Sequence, residues 1–180
     1  MIAYKGMEPG MICRGYQLQM GLNVTEQANC RENGFHCAAN PMDCLRYYGD
    51  FQNSEYYLVC PCGDLDEDAA DSKISCTQLW VLQKLEPQEF FLHALAYMAD
   101  HPHLPDGCEV KRERAQAWNG YAVVRGKHPR AKGKLGDILA FAREAVNGPK
   151  IEHLSLCVID GKERLPDTWY DDNFKEWEAA

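Results

Sequence analysis

The sequence lacks an uninterrupted apolar run of about 18 residues, the length that a helix needs to cross a bilayer. It also lacks an apolar segment after Lys5 of the kind that marks a secretory signal peptide. A Gly-x-x-x-x-Gly-Lys-Ser/Thr motif, which would cradle nucleotide phosphates, is absent as well. These absences exclude a long apolar membrane helix and a P-loop, and they lead us to expect a cytoplasmic protein without a membrane partner.

Cysteine is abundant, with nine in 180 residues, but the odd number argues against a disulfide scaffold. We expect reduced thiols that pack as small apolar side chains. The best candidate zinc set is His36, Cys37, Cys60 and Cys62. However, Cys60 and Cys62 are separated by one residue instead of the usual two to four, and no second cysteine pair accompanies them. The expectation is therefore that no metal is bound.

The net charge of −8 conceals an asymmetry along the chain. Residues 111–134 contain eight basic side chains and one acidic side chain, whereas the remainder is strongly acidic. An acidic body makes general nucleic-acid binding unfavourable, while a local basic segment suits a phosphate or an acidic protein. We predict that a protein partner binds a compact basic turn and aromatic side chains near the C-terminus, namely Arg125, Lys127, His128, Arg130, Trp169, Tyr170 and Trp177.

Hydrophobic periodicity predicts most of the secondary structure. Alternating or apolar segments predict strands at 12–24, 34–38, 56–62, 73–85, 121–125 and 154–159. Asn40-Pro41 predicts a short helix at about 41–48, and an apolar stripe predicts a longer helix at about 87–101. The sequence therefore predicts an α+β fold with mostly antiparallel sheet.

Three segments carry more specific predictions. Residues 63–71 are expected to form an acidic loop. Asp160-Gly161 predicts a hairpin turn that leads into residues 163–165, with a final strand after Trp169. Residues 135–146 fit both a helical stripe and a short buried strand, so both assignments stay open.

Two groups of residues resemble an uncharacterised domain family whose members look like small proteins of phages and prophage-bearing bacteria. The N-terminal group is Cys13-Arg14-Gly15-Tyr16-Gln17, Gly21, Glu32-Asn33-Gly34-Phe35-His36-Cys37, Asn40-Pro41, Asp43 and Tyr47-Tyr48. The C-terminal group is 133–139, 158–161 and 165–170. The resemblance implies no known activity. We expect one compact domain over 1–180, with a family-like part at 1–85, a helical insertion at 86–120, and C-terminal strands with a hairpin at 121–180.

A second resemblance is one of layout, to ADP-ribosyltransferases. In that family an Arg or His on an early strand contacts NAD, and a later strand precedes a helix that ends in aromatic residues. Arg14, His36, Tyr47 and Tyr48 are arranged in a similar order. The family also needs a late catalytic glutamate, for which Glu55 and Glu86 are candidates, although neither lies in the Glu-x-Glu or Gln-x-Glu motif of the family.

Two functional hypotheses follow. The first is a non-enzymatic protein of phage or prophage type that binds a host or phage macromolecule without a cofactor, for example to inhibit a host defence enzyme. The alternative is an NAD-using enzyme that resembles ADP-ribosyltransferases, with Arg14, His36, Tyr47, Tyr48 and Glu55 at its site.

Overall fold

The structure is a computed structural model that describes residues 1–30, 32–67 and 72–177. The chain divides into two compact units, Met1–Phe90 and Phe91–Ala180. Both are built mainly from strands, and most strand pairings of the described chain are antiparallel, which confirms the predicted α+β class. No helix among the described residues has both the length and the apolar content that a membrane span requires.

Among the described residues, the N-terminal unit contains seven strands, one short α-helix, a 3-10 turn and the start of a longer helix. The strands are β1 Ala3–Met7, β2 Ile12–Cys13, β3 Tyr16–Gln17, β4 Gly21–Val24, β5 Phe35–Ala38, β6 Glu55–Glu67 and β7 Lys73–Leu85. The helix α1 is Pro41–Cys44, and the 3-10 turn is Phe51–Asn53. Five strands pair in the order β4-β7-β5-β1-β6, and β6 also pairs with β7. The pairings of β7, β5, β1 and β6 therefore form a closed ring.

The apolar core of this unit lies among the ring strands. Its largest fully buried members include Met7, Leu18, Val59 and Leu79. A second apolar contact brings the ring of Phe90 to within 4.3 Å of Tyr56, measured between centroids. Alternation on β1 and β5 places part of each strand in the core and directs the remainder to the opposite face.

The prediction of one continuous strand at 12–24 is wrong, because the segment contains three short strands, β2, β3 and β4. Arg14 and Gly15 have φ values of 51° and 77°, so they form a two-residue turn between β2 and β3. Positive φ at both central residues matches the twist of a tight hairpin, and glycine adopts it readily. The sequence Cys-Arg-Gly-Tyr thus reverses the chain at a point where the alternation of apolar residues suggested one strand.

The predicted acidic loop at 63–71 is wrong for its first half. Strand β6 continues to Glu67, and it pairs with β7 through Leu65, Asp66 and Glu67 after a register shift. Gly63 has a φ of 73° at this irregularity. Exposed acidic residues can occupy a strand because the ladder satisfies their backbone groups without burial of the side chains. Residues 68–71 lie outside the described part of the chain.

The helix predicted at about 41–48 begins as expected but ends early. The side chain of Asn40 accepts a hydrogen bond from the Met42 amide at 3.1 Å, and Pro41 occupies the first turn. Helix α1 ends at Cys44, and hydrogen-bonded turns continue to Tyr48. The longer helix α2, predicted at about 87–101, is confirmed at Pro87–Asp100, and it includes the point where the first unit ends.

Among residues 91–177, the C-terminal unit contains five strands, of which the longest, β9, is central. They are β8 Val110–Gln116, β9 Tyr121–Lys132, β10 Ile138–Glu144, β11 Ile151–Val158 and β12 Tyr170–Asp171. The order is β11-β10-β9-β12, with β8 on β9, and the β8–β9 and β9–β10 pairs are parallel. Residues 135–146 thus contain a strand, Ile138–Glu144, rather than a helix. Strand β8 lies within 86–120, where only a helix was expected.

The predicted hairpin after Asp160 is wrong. The Asp160 carboxylate accepts hydrogen bonds from the backbone amides of Lys162, Glu163 and Arg164 at 2.8, 2.9 and 3.0 Å. Those bonds also hold the pKa of this carboxyl below its ordinary value. Because one side chain takes three successive amide donors, residues 163–165 form a capped turn instead of a returning strand.

Buried ion pairs hold the edge of the C-terminal sheet together. Arg125 and Glu144 are 3% and 7% exposed, and Arg125 Nε donates to Glu144 Oε1 at 2.7 Å. Arg112 adds two bonds to the same carboxylate, at 2.8 and 2.6 Å. Both arginines also pair with Asp106, at 3.1 and 3.0 Å. Arg112 and Arg125 are register partners on parallel strands, so these carboxylates neutralise two like charges that the fold brings together.

The first prediction concerns this network. Replacing Glu144 with Gln leaves the buried Arg125 without its closest carboxylate, so we expect the free energy of unfolding to fall by about 3 kcal/mol. Urea denaturation, monitored by circular dichroism, measures the fall in the free energy of unfolding. The matched control is Glu152→Gln, which neutralises an exposed carboxylate on β11. Equal stability of the two variants would contradict the structural role given to Glu144.

The same network predicts a pH dependence. The hydrogen bonds from Arg112, followed by those from Arg125, lower the pKa of Glu144 from 4.5. The folded state therefore binds this proton more weakly than the unfolded state. Its stabilisation is present above the ordinary pKa and is lost as the pH falls through the lower folded value. The stability difference between the wild type and Glu144→Gln should shrink in denaturation curves recorded at progressively lower pH below 4.5.

Candidate functional site

A cleft of about 870 Å³ opens in the N-terminal unit. Strand β1, the β2–β3 turn, strand β5, helix α1 with its following turn, and the start of β7 all contribute to it. The lining residues are Tyr4, Lys5, Gly6, Glu8, Cys13, Arg14, His36, Cys37, Ala38, Asp43, Cys44, Arg46, Tyr47, Tyr48 and Lys73. A cleft of this size matches the range typical of small-molecule sites.

Positive charge is concentrated in this cleft. Residues 1–90 contain six lysines and arginines against thirteen aspartates and glutamates. Four of those six, Lys5, Arg14, Arg46 and Lys73, line the cleft, beside only two acidic side chains. An acidic unit that gathers most of its cations in one concave surface provides a local positive potential for an anion.

Lys5 is the least expected of the four cations. It lies on β1 between apolar neighbours and is 3% exposed. Its Nζ donates to the His36 carbonyl at 2.6 Å and forms no ion pair with a carboxylate of the described residues. An ammonium group has three N–H donors. Two of them therefore have no protein acceptor in the described part of the chain, and a buried cation with spare donors favours an anionic ligand.

The other cations come from turns and a strand end. Arg14 is exposed at the tip of the β2–β3 hairpin, where it makes no ion pair with any described carboxylate. Lys73 begins β7, and its Nζ lies 2.5 Å from the Tyr47 hydroxyl and 3.9 Å from the centroid of that ring. Tyr47 itself is 54% exposed. The cleft thus presents an accessible aromatic ring beside a cation.

Tyr48 closes one side of the cleft by packing on β1. A Cβ atom at Gly6 would lie 2.7 Å from the Tyr48 ring, so only glycine permits this contact. The Tyr48 hydroxyl donates to Cys13 Sγ at 3.1 Å, and its backbone carbonyl accepts a hydrogen bond from the Tyr56 hydroxyl. Burial and the bond to Cys13 raise the pKa of Tyr48. Its phenol is therefore neutral and structurally fixed.

His36 is half-buried on β5 and faces the cleft. Burial is the main cause that lowers its pKa below 6.5, and the positive charges of Lys5, Lys73 and Arg14 lower it further. The imidazole is therefore neutral at neutral pH. A neutral ring can donate one hydrogen bond and accept another without adding to the crowded positive charge.

The two acidic side chains of the cleft differ in their availability. Asp43 Oδ2 accepts hydrogen bonds from the Ser72 hydroxyl at 2.7 Å and from the Ser72 amide at 3.3 Å. Glu8 is exposed, and its side chain makes no ion pair with a described residue. Glu8 is consequently the carboxylate that a bound ligand can reach most directly.

Four of the five residues in the NAD hypothesis lie in this cleft, namely Arg14, His36, Tyr47 and Tyr48. Neither Glu55 nor Glu86 is among the lining residues. Glu55 pairs with Lys84 at 2.6 Å and accepts hydrogen bonds from the Tyr57 hydroxyl and the Gly10 amide. These contacts lower its pKa and hold its carboxylate at the start of β6.

Sequence reasoning missed Lys5, Arg46 and Lys73, which supply three of the four cations. Lys5 carried a usable signal, because a lone cation in the apolar segment Ala-Tyr-Lys-Gly-Met requires a special environment. Arg46 and Lys73 carried no signal, since an exposed basic residue after a helix or at a strand end is common.

The candidate zinc residues are not brought together as one site. Among residues 1–30, 32–67 and 72–177, no three His, Cys, Asp or Glu side chains form a metal-binding group. Cys60 and Cys62 are close to each other, with 3.7 Å between their sulfur atoms, whereas His36 and Cys37 line the cleft. The hydrogen bond with Cys76 and burial raise the pKa of Cys37, which disfavours the thiolate that a nucleophile or ligand requires. All nine cysteines are free thiols.

The residues predicted to bind a partner separate into two groups. Arg125 is buried in the ion-pair network, and Tyr170 is 1% exposed with its hydroxyl bonded to the Leu165 amide. Lys127 and His128 are exposed, and their backbone amides donate to the Glu113 carboxylate. Arg130, Trp169 and Trp177 come together on one surface of the C-terminal unit. Apart from Arg125 and Tyr170, the residues predicted to bind a partner are therefore accessible side chains of β9 and of the C-terminal tail.

The chain belongs to the family described as domain of unknown function DUF7666, whose model matches residues 1–93. The matched segment contains every residue of the cleft. No curated protein and no solved structure matches the chain. The family description states no activity, so the chemistry of the cleft is argued from its own residues.

The electrostatic account of His36 gives a prediction for the free protein. Replacing Lys73 with Gln removes a cation that lowers the pKa of His36, so that pKa should rise toward 6.5. An NMR titration of the imidazole signals measures it. Lys84→Gln is the matched control, because Lys84 pairs with Glu55 outside the cleft. An unchanged His36 pKa in Lys73→Gln, or an equal rise in the control, would contradict the proposed charge clustering.

Proposed function

We propose that this DUF7666 protein binds a phosphate-bearing dinucleotide in its N-terminal cleft, that the ligand is NAD, and that it transfers ADP-ribose. The observation that supports this most directly is the collection of four of the six basic residues of an acidic unit in one cleft. A pyrophosphate carries the charge that such a cleft lacks, and arginine is well suited to contact it through paired N–H donors.

The cations have distinct parts in the proposal. Lys5 lines the cleft and offers spare donors, in a buried setting where water is scarce and its attraction to a phosphate is strong. Arg14, at the tip of a hairpin, reaches the ligand from the solvent side. Ligand phosphates would neutralise both, and the release of ions from the cleft would make binding weaker at high salt.

The aromatic and neutral polar groups suit the rings of a dinucleotide. Lys73 lies over one face of the half-exposed Tyr47 ring, and nicotinamide or adenine would stack on the opposite face. His36 is neutral and lines the cleft, so it places a polar ring beside the ligand without adding another positive charge. These properties favour a nucleotide over a simple inorganic anion.

In this proposal the catalytic carboxylate is Glu8, in place of Glu55, which was the candidate from sequence. In the proposed reaction the bond between ribose C1′ and the nicotinamide nitrogen breaks, and nicotinamide leaves with the bonding electrons. The nucleophile of an acceptor then bonds to C1′ and loses its proton to water or a base. A carboxylate near the ribose stabilises the positive charge that develops on the sugar. Glu8 is the exposed carboxylate of the cleft.

Calorimetric titration of the purified protein with NAD tests the binding step. We expect saturable binding that Arg14→Ala weakens about tenfold or more, since a lost charge-assisted contact to phosphate is worth about 1.5–3 kcal/mol. Lys84→Ala is the matched control, because it removes a cation of the same unit outside the cleft. Absence of binding at millimolar NAD, or equal loss in both variants, would reject the dinucleotide.

Release of nicotinamide, measured by chromatography, tests the chemical step separately. We expect turnover in the wild type, near-complete loss in Glu8→Gln with NAD binding retained, and no loss in Glu55→Gln. Saturable NAD binding without nicotinamide release, with and without bacterial lysate as a source of acceptors, would leave a binding protein and reject the transferase.

A second candidate function is binding of a macromolecule by the C-terminal unit. It is favoured by a separate observation, the cluster of cations and tryptophans that contains Arg130, Trp169 and Trp177. Together with the motif resemblance, this supports a cytoplasmic phage or prophage protein that inhibits a host defence enzyme. Expressing the chain in a bacterium with an active defence system and measuring phage plating would test whether it inhibits that defence. Unchanged plating efficiency would reject it.

A further inference from the structure

Three cations and two tryptophans form one surface of the C-terminal unit, which we name the cation–tryptophan surface. Its members are Arg114, Arg130, Lys132, Trp169 and Trp177. The guanidinium carbon of Arg130 lies 4.0 Å from the Trp177 ring centroid, and that of Arg114 lies 4.9 Å from the same centroid. Lys132 Nζ lies 5.3 Å from the centroid of Trp169.

Strand register creates this surface. On the parallel pair β8–β9, Arg114 lies opposite Arg130, and the next pair along, Ala115 and Ala131, is buried in the core. Alternation therefore directs the arginines away from the core. Tyr170, at the start of β12, is buried, so the preceding Trp169 also points away from the core. The Trp177 amide donates to the Trp169 carbonyl at 2.9 Å.

The cations of this surface lack ion pairs with the described carboxylates, and Asp171, which lies opposite Arg130 on β12, accepts hydrogen bonds from the Asn173 and Lys175 amides instead. Like charges opposite each other on paired strands repel. Elsewhere in this unit the fold resolves the same problem for Arg112 and Arg125 with Glu144 and Asp106. At the cation–tryptophan surface, no carboxylate within residues 72–177 forms an ion pair with Arg114, Arg130 or Lys132. The indole faces attract the cations without neutralising them.

We propose that the cation–tryptophan surface binds an acidic segment of a protein partner. Arginine forms paired hydrogen bonds with carboxylates, and flanking indole rings exclude water, which strengthens those bonds. Tryptophan and arginine are also the residues that contribute most to affinity at protein interfaces. The proposal rests on the second candidate function, for which it names the class of partner, and it does not depend on the N-terminal cleft or on NAD.

Charge and geometry favour a protein over single-stranded nucleic acid as the partner. A nucleic acid brings a long run of phosphates toward a chain with a net charge of −8, whereas a short acidic segment meets only the local cations. In addition, guanidinium groups already cover faces of both rings, and those faces are where bases would stack.

Fluorescence anisotropy with a labelled acidic peptide tests the proposal. The probe is a peptide of about 12 residues that alternates Glu and Gly, titrated with the full chain in low salt, where exposed charges are least screened. The competitor is an unlabelled oligothymidylate of similar charge. We expect saturable peptide binding that the oligonucleotide displaces only weakly.

Variants separate this surface from general attraction by basic residues. Arg130→Gln should weaken peptide binding about tenfold or more, because it removes a charge-assisted pair. Lys150→Gln, which removes one exposed positive charge between β10 and β11, should leave affinity nearly unchanged. Arg130→Lys should retain part of the affinity, since its charge remains. Thermal denaturation confirms that each variant is folded.

Three results would overturn the proposal. The first is an absence of peptide binding at low salt up to millimolar protein. The second is an equal loss in Arg130→Gln and Lys150→Gln. The third is tighter binding of the oligonucleotide than of the peptide, with the same dependence on Arg130, which would assign the surface to nucleic acid.

Discussion

The buried ammonium group of Lys5 is the constraint around which the N-terminal unit is arranged. A lysine on an inner strand needs polar partners, and the described residues supply one acceptor, the carbonyl of His36 on the neighbouring strand. The same contact fixes the edge of β5 against β1 at the base of the cleft. Its positive charge also contributes to the neutral state of His36. One side chain thereby links strand pairing, cleft electrostatics and the state of a titratable ring.

The two units manage positive charge in different ways. In the N-terminal unit, cations scattered along the sequence converge on a concave surface with few carboxylates. In the C-terminal unit, parallel pairing of β8 with β9 sets arginines side by side, and carboxylates neutralise one pair while indole rings flank the other. Fully paired arginines stabilise the sheet, and incompletely paired ones remain available to a partner. Arg125 belongs to the first class and Arg130 to the second.

Local pattern predicted much of the fold and part of the site. Helix α2, strand β5 and strand β7 follow from periodicity, and Arg14 with His36 was identified from motif order. Failures arose where a side chain replaced a backbone partner, as at Asp160, or where a long ladder carried acidic residues, as at 63–67. Lys73 reaches the cleft through the long-range pairing of β5 with β7, and Arg46 through the turn after helix α1, and no local sequence pattern encodes that these two segments meet.

The closed ring of pairings among β7, β5, β1 and β6 has a consequence for how the cleft responds to occupants. Strands β1 and β5 are hydrogen-bonded on both edges, so Lys5 and His36 have little freedom to adjust. The segments that can adjust to a ligand are therefore the β2–β3 hairpin, which carries Arg14, and the turn that carries Tyr47. Such a cleft is rigid at its base and adjustable at its rim. Its selectivity should therefore be set by the depth to which an anionic group can penetrate, and the rim should tolerate variation in the rest of the molecule.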